Sequence, residues 1–444
     1  MIRTIVIVLG STFLIIALGF FGALILYPDA LFSRFITPRI TEAFTRGYPG
    51  ATIGIDRMRY NIFRNQFTAD AVTVRTGDSS SVLRLHELSV AGTSWISLLL
   101  GGTPEEETIE QTVIEAKDMT MLFPRAGYSV RCGAIRISVP DSSIVIDSLS
   151  IAPAGEDEEF FARSAYRATR YRVVVPRLSL FGAALFPMAM GKAYSVRSVL
   201  VHDLQADILV NKDKADRRGA SAPPMPGELL ASLHEELRVD TLRIMNASLV
   251  YGERFGVRGT PAVITFDKLT IAGTGIRNHG TGDERIVFRA GGNFMRSAPM
   301  NIVLTMPAGT PDFSLRYTGS LGRMDVSDLN VFLEKAEKVR VQGGIESARF
   351  DIAVVSGRAS GYVQIVYHDL SFAFIDAASG SSNGFTDLLT SFIANTFTIR
   401  SSNRPDRNGL VKPGRVNYAR TPEDPFFRFV WFALRSGVRD IAGF

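Results

Sequence analysis

A three-residue unit recurs along this chain: an apolar residue, a small polar residue or arginine, then a second apolar residue. It appears as Leu88-Ser89-Val90, Met119-Thr120-Met121, Ile135-Arg136-Ile137, Leu149-Ser150-Ile151, Leu178-Ser179-Leu180, Leu269-Thr270-Ile271 and Leu370-Ser371-Phe372. Side chains alternate across a strand, so each unit describes a strand with one apolar and one polar face. The pattern is fullest in Leu237–Tyr251, LRVDTLRIMNASLVY. Read as a two-residue hairpin loop, Asn246-Ala247 sets Ile244 opposite Leu249 and Leu242 opposite Tyr251. The chain is therefore expected to be mostly β with a few helices. Its strands would lie edge to edge in an elongated, curled antiparallel sheet, capped by short helices. What covers the apolar face is then the functional question.

Residues 4–26 carry no charge. The run is long enough to cross a bilayer as a helix and too long for a typical signal-peptide core. No small-x-small cleavage site precedes Tyr27-Pro28-Asp29. Residues 1–27 thus read as an uncleaved transmembrane anchor. Arg34, Arg39 and Arg46 follow the span and only Arg3 precedes it, but the positive-inside rule is weak for a long translocated domain. A short helix at 29–46, kinked or split at Pro38, ends at Gly47-Tyr48-Pro49-Gly50. The remainder divides into a β-rich region over 28–210, a charged, proline-rich linker at 211–226, a second β-rich region over 227–375 and a helical segment over 376–444. Helices are expected at 227–236, 325–338, 385–397 and 424–441. Pro140-Asp141 is a turn that puts Ile137 opposite Ile144, residues 154–160 form a solvated acidic loop, and Gly273-Thr274-Gly275 is a hairpin loop.

Several function classes find no support. The net charge is +5, from 49 basic and 44 acidic residues, with no polybasic block interleaved with aromatics, so no nucleic-acid partner is expected. Cys132 stands alone, and His86, His202, His234, His279 and His368 are scattered. No metalloprotease motif, nucleophile elbow or phosphate loop is present, so no enzyme, metal or cofactor is expected.

The last helix carries Arg428, Arg435 and Arg439 on one stripe, with Phe427, Val430, Trp431, Leu434 and Val438 opposite. Asp424 is a plausible N-cap and Pro425 a plausible first helical residue. The pattern suits a helix at a membrane interface or on a partner, and equally a helix plugging the end of the sheet. Roughly twenty strand-like runs face few helices. Either two halves pack as a β-sandwich, or one apolar face stays open as a groove suited to acyl chains. On the groove reading the lining is Leu88, Val90, Leu149, Ile151, Leu178, Leu180, Leu242, Ile244, Leu249, Tyr251, Leu269 and Ile271.

Leu237, Val239, Leu242, Ile244, Asn246, Ala247, Leu249 and Tyr251 follow a pattern that resembles the AsmA-like family of bacterial envelope proteins. The plan of one anchor, a short helix and a run of strands is similar too. So are Gly344, Gly361, Tyr362, Tyr367, Asp369 and Leu370, and an ending with Trp431, Leu434, Ser436-Gly437 and Asp440. The resemblance implies a single-pass protein of the bacterial inner membrane with its large domain in the periplasm. It also implies a β-groove akin to chorein-type bridge-like lipid transfer proteins, and a part in phospholipid movement and outer-membrane lipid homeostasis. The partners would be phospholipid acyl chains and the inner membrane, with the outer membrane or an envelope protein reached through the C-terminal helix. The alternative is an anchored scaffold for outer-membrane protein assembly, working by strand addition at exposed sheet edges.

Overall fold

The structure is a computed structural model that describes residues 37–38, 40–42, 44–46, 48, 50–61, 63–76, 81–93, 110–216, 224–280, 283–375, 400–422 and 424–442. The expected anchor and the expected helix at 385–397 lie outside these residues. Among the described residues no helix is long and apolar enough to cross a membrane. The chain divides into two compact units between Ala154 and Gly155. That boundary differs from the expected linker at 211–226, whose flanking strands pair with each other in one unit.

Among the described residues the first unit has helical turns within 37–46 and seven strands: β1 (Thr52–Gly54), β2 (Arg57–Asn61), β3 (Gln66–Arg75), β4 (Val82–Ala91), β5 (Val113–Phe123), β6 (Tyr128–Ser138) and β7 (Ser143–Pro153). β1 and β2 share β3 as partner, and from β3 to β7 each strand pairs antiparallel with the next. The turn at Pro140-Asp141 does place Ile137 opposite Ile144.

The second unit opens with α1 (Asp157–Ala162), β8 (Thr169–Ala183), α2 (Leu185–Ala189), β9 (Ala193–His202), β10 (Gln205–Asn211) and α3 (Pro226–Ala231). It continues with β11 (Glu236–Arg254), β12 (Ala262–Arg277), β13 (Arg285–Phe294), β14 (Ala298–Pro307), β15 (Leu315–Leu321) and β16 (Met324–Asp325). A 3-10 turn and α4 (Asn330–Ala336) lead to β17 (Val339–Val355), β18 (Arg358–Phe374), β19 (Pro413–Ala419) and α5 (Phe426–Ala442). The expected acidic loop is thus helical in part, with Asp157, Glu158 and Glu159 in the first turn of α1, where a helix favours negative charge.

Three expectations about the sheet are corrected. The pairing is mixed rather than wholly antiparallel, because β11 runs parallel to both β9 and β10. Parallel neighbours need a long crossover, and residues 212–235, carrying α3, provide it. Nor is Asn246-Ala247 a hairpin loop: it lies inside the single strand β11. Asn246 takes φ +55°, a left-handed conformation that Asn tolerates, and the strand passes through with local irregularities in register. Gly273-Thr274-Gly275 likewise lies within β12 rather than in a loop.

Asn246 is one member of a recurring device. In the first unit Ala71 of β3, Asp118 of β5 and Ser148 of β7 take φ of +52°, +50° and +56°. The register is the same on either side of each: Asp70 pairs with Glu87 and Val72 with Leu85, leaving Ala71 and His86 facing each other. One left-handed residue shifts the side-chain alternation by one place, so Ala69 and Val72, three apart, pack in one cluster. The apolar residues therefore fall at i, i+2, i+5 and i+7. Examples are Phe67, Ala69, Val72 and Val74; Ile114, Ala116, Met119 and Met121; and Ile144, Ile146, Leu149 and Ile151. In the second unit Asp203, Asn246 and Lys268 take φ of +54°, +55° and +52° on neighbouring chain segments. Asn246 Nδ2 donates to Asp203 Oδ1 at 2.7 Å, and the Asp203 and Ser248 amides donate to Met245 and Leu204.

Candidate functional site

Directly paired residues in a sheet share a face, so the registers trace apolar ladders across the strands. In the first unit one ladder runs Phe67, Val90, Ile114, Ile137, Ile144, and another Ala69, Leu88, Ala116, Ile135, Ile146. Beyond the left-handed row a third runs Val74, Leu83, Met121, Val130, Ile151. The opposite face is charged: Arg59 pairs with Asp70 at 2.7 Å, Lys117 with Glu87 at 2.7 Å, and Arg136 with Glu115. In the second unit the ladders begin Leu180, Val199, Leu242, Gly273, Phe288 and Leu178, Val201, Ile244, Ile271, Ala290. Leu249 is paired with Phe266 and Tyr251 with Ile264 on the same face.

The structure thus gathers the expected lining residues on one face within each unit: Leu88, Val90, Leu149 and Ile151 in the first, and the other eight in the second. Leu269 is buried at 8% exposure, while the remaining eleven are half-buried. That separates them from residues further along the same face of the second unit, where helices cover it. Ile286, Met306, Leu315, Tyr317, Ile352 and Val363 belong to one buried cluster with Met225 at the start of α3 and with Phe429, Ala433 and Ile441 of α5. Val326, Val339 and Val341 pack with Leu329 and Leu333 of the 3-10 turn and α4.

The end of this face is not wholly apolar, as the sequence pattern had suggested. Tyr251 OH donates to Glu253 Oε1 at 2.8 Å, and Lys212 Nζ lies 2.9 Å from the same carboxylate. Burial first, then the nearby Glu253, pushes the Glu337 carboxyl up to about 7, against the pull of Arg435 and Lys212. Burial likewise raises the Tyr251 phenol, with Glu253 adding to the effect. Groups from β11 and α5 and from the residues just after β10 and α4 therefore converge, although they are distant in sequence.

The C-terminal helix resolves into two sides. Phe429, Ala433, Gly437 and Ile441 are buried, and Phe429 stacks edge-on against Phe313 at 5.0 Å. The approach to β19 is so close that a Cβ on Gly414 would meet the Gly437 carbonyl oxygen at 1.8 Å. α5 also seals the free edge of β19: the Arg415 amide donates to Asp440 Oδ2 at 2.7 Å and the Asn417 amide to Ser436 Oγ at 3.2 Å. The plug reading therefore holds for one side. Phe427 and Trp431 face outward, and Arg428 lies 3.3 Å from buried Asp424. Arg435 and Arg439 are half-buried, and Arg435 senses Glu337. They do not form the single exposed stripe with Arg428 that periodicity drew.

A cavity of about 310 Å³ lies beneath α1 on the opposite face of the second unit. Its buried Arg170 and Arg254 are matched by Asp157, Asp207, Glu158 and Asp213, and Arg254 also stacks on Phe161 at 4.6 Å. The pairs to Asp157 and Glu158 pin α1 to the sheet. Cys132 is buried, and burial raises its thiol pKa, which suits packing rather than reactivity. Among the described residues no three His, Cys, Asp or Glu side chains cluster as metal ligands. No family model matches the chain, and no curated protein matches it.

Proposed function

We propose that this chain is an AsmA-like, membrane-anchored protein of the bacterial envelope that holds phospholipid acyl chains along its apolar sheet face, within lipid transport or outer-membrane lipid homeostasis. The observation that carries this reading is that the ladders are only partly buried, where a closed core would bury them fully. An acyl chain laid on them removes further apolar surface from water, worth roughly 0.8 kcal/mol per methylene. No phosphate loop or catalytic constellation is present in the sequence, so binding would be passive and direction would come from a partner or gradient. Tethering by residues 4–26 and a periplasmic domain belong to the same proposal.

The scaffold alternative needs a free sheet edge: the edge of β19 is occupied by α5, whereas among the described residues β1 and β2 pair only with β3. The test is a photo-crosslinking residue placed at Leu242 or Leu88 of the full chain in cells with labelled phospholipid. Crosslinks to lipid are expected there and not at Arg243 or Arg84, which face the other way. Equal labelling at all four positions, or at none, overturns the proposal. Leu242→Asp should abolish lipid capture with folding retained; loss of folding instead would mark Leu242 as ordinary core.

A further inference from the structure

α5 carries two apolar stripes, and the fold uses one. Phe429, Ala433, Gly437 and Ile441, each four residues apart, bury the helix on its own sheet. Phe427, Trp431 and Val438 fall on a second stripe and are exposed at 75%, 56% and 41%. Among the described residues, no buried cluster includes this exposed tryptophan or phenylalanine, which lie one turn apart on the helix.

The charge around the stripe is cationic. Arg428 lies between Phe427 and Trp431 in sequence, half-exposed, with its guanidinium 5.1 Å from the Phe432 ring. Arg435 sits 5.7 Å from the same ring. Burial, and then the positive charge of Arg439, holds the Arg435 guanidinium below its ordinary range. Glu337 acts on Arg435 in the opposite sense, and Arg435 is half-buried while Arg428 is exposed. On the acidic side, Asp424 is buried and bonded to Tyr418 and the Thr421 amide, and Asp440 accepts from the Arg415 amide. Asp424, 3.3 Å from Arg428, offsets that guanidinium in part, and the three arginines of the helix outnumber Asp440.

We infer that the outer stripe of α5 is a membrane-surface contact, seating Phe427 and Trp431 at headgroup level in a bilayer that contains anionic lipid. Indole and phenyl rings bordered by arginine match that boundary, where aromatic rings sit among headgroups and guanidiniums meet phosphates. A bilayer is favoured over a protein groove by this charge complementarity. It is also favoured by the uncharged run 4–26, which on the sequence reading keeps the chain at a membrane. The inference concerns a different surface from the acyl-chain face and stands or falls separately.

The chain has two tryptophans, so Trp95→Phe leaves Trp431 as sole reporter. The full chain would be reconstituted into vesicles of phosphatidylethanolamine and phosphatidylglycerol with brominated acyl chains, and in parallel into brominated phosphatidylcholine. A blue-shifted Trp431 emission, quenched by bromine more in the anionic vesicles, is expected. Arg428→Glu should remove that difference, and Phe427→Asp, at an exposed position, should lower quenching with the circular dichroism unchanged. Emission quenched by aqueous iodide but not by bromolipid would overturn the inference. So would a blue shift that grows with protein density but not with bromolipid, since a second copy would then cover the stripe.

Discussion

Among the described residues, the apolar ladders of the first unit contribute a core cluster of three buried residues, Met58, Ala69 and Val72, whereas in the second the same kind of ladder runs into a cluster of sixteen. The strands are built alike in both, with apolar residues at the same spacing and a left-handed residue in mid-strand. The difference lies in cover. In the second unit α3, α4 and α5 bring Met225, Leu333 and Phe429 down onto the face. The first unit has among its described residues one helical segment, whose Thr37 Oγ1 lies 4.0 Å from Met58 Sδ. The same strand can therefore be core or surface, and burial alone distinguishes a plug from an open ladder.

The sharpest way to break this comparison is to remove equivalent apolar groups from each unit. Phe429→Ala, on the buried side of α5, should cost about 3–5 kcal/mol in chemical denaturation. Ile137→Ala, on a half-buried ladder, should cost about 1–2 kcal/mol, because part of its surface is already wet. Equal costs would mean that the ladders of the first unit are as well covered as those of the second. Gly414→Ala should cost about 1–3 kcal/mol by forcing α5 off β19. It should also speed proteolysis after residue 420.

A smaller effect concerns Glu337. Its folded-state pKa of about 7 lies above its ordinary 4.5, so folding takes up a proton between those values. Stability contributed by the protonated form is present at acid pH and is lost as pH rises through about 7. Glu337→Gln should flatten that dependence and stabilise the protein above pH 7 by about 1–2 kcal/mol, after allowing for solvent screening. No change in the melting profile between pH 5 and 8 would remove Glu337 from the account. Smallest of all, Lys268→Gly should raise stability by up to about 1 kcal/mol, since relief of the left-handed strain outweighs glycine's added chain entropy.

Much of the strand content was legible. The alternating triads located strands because a half-buried strand demands period two, and Pro140-Asp141 fixed the β6–β7 register through a short turn. The continuity of β11 was missed, although the signal was present: apolar residues three apart flanking Asn, Asp, Ser or Lys, as in Ile244-Met245-Asn246-Ala247. Read as a turn, that break ends a strand; read as a left-handed residue, it keeps the strand and its face. The charged cluster of Lys212, Glu253, Glu337 and Arg435 had no local signal at all, because its members come from elements far apart in the chain.

By itself, then, the amino-acid order determined which residues are apolar on each strand and which face they share, because alternation is local backbone geometry. It also determined that α5 is apolar on more than one side. Tertiary structure alone decided that β11 lies parallel to β9 and β10, that α5 spends Phe429, Ala433, Gly437 and Ile441 on its own sheet, and that Phe427 and Trp431 are left outside. Those outcomes depend on which surfaces find each other. Burial is a property of pairs of faces, and no single segment encodes its partner.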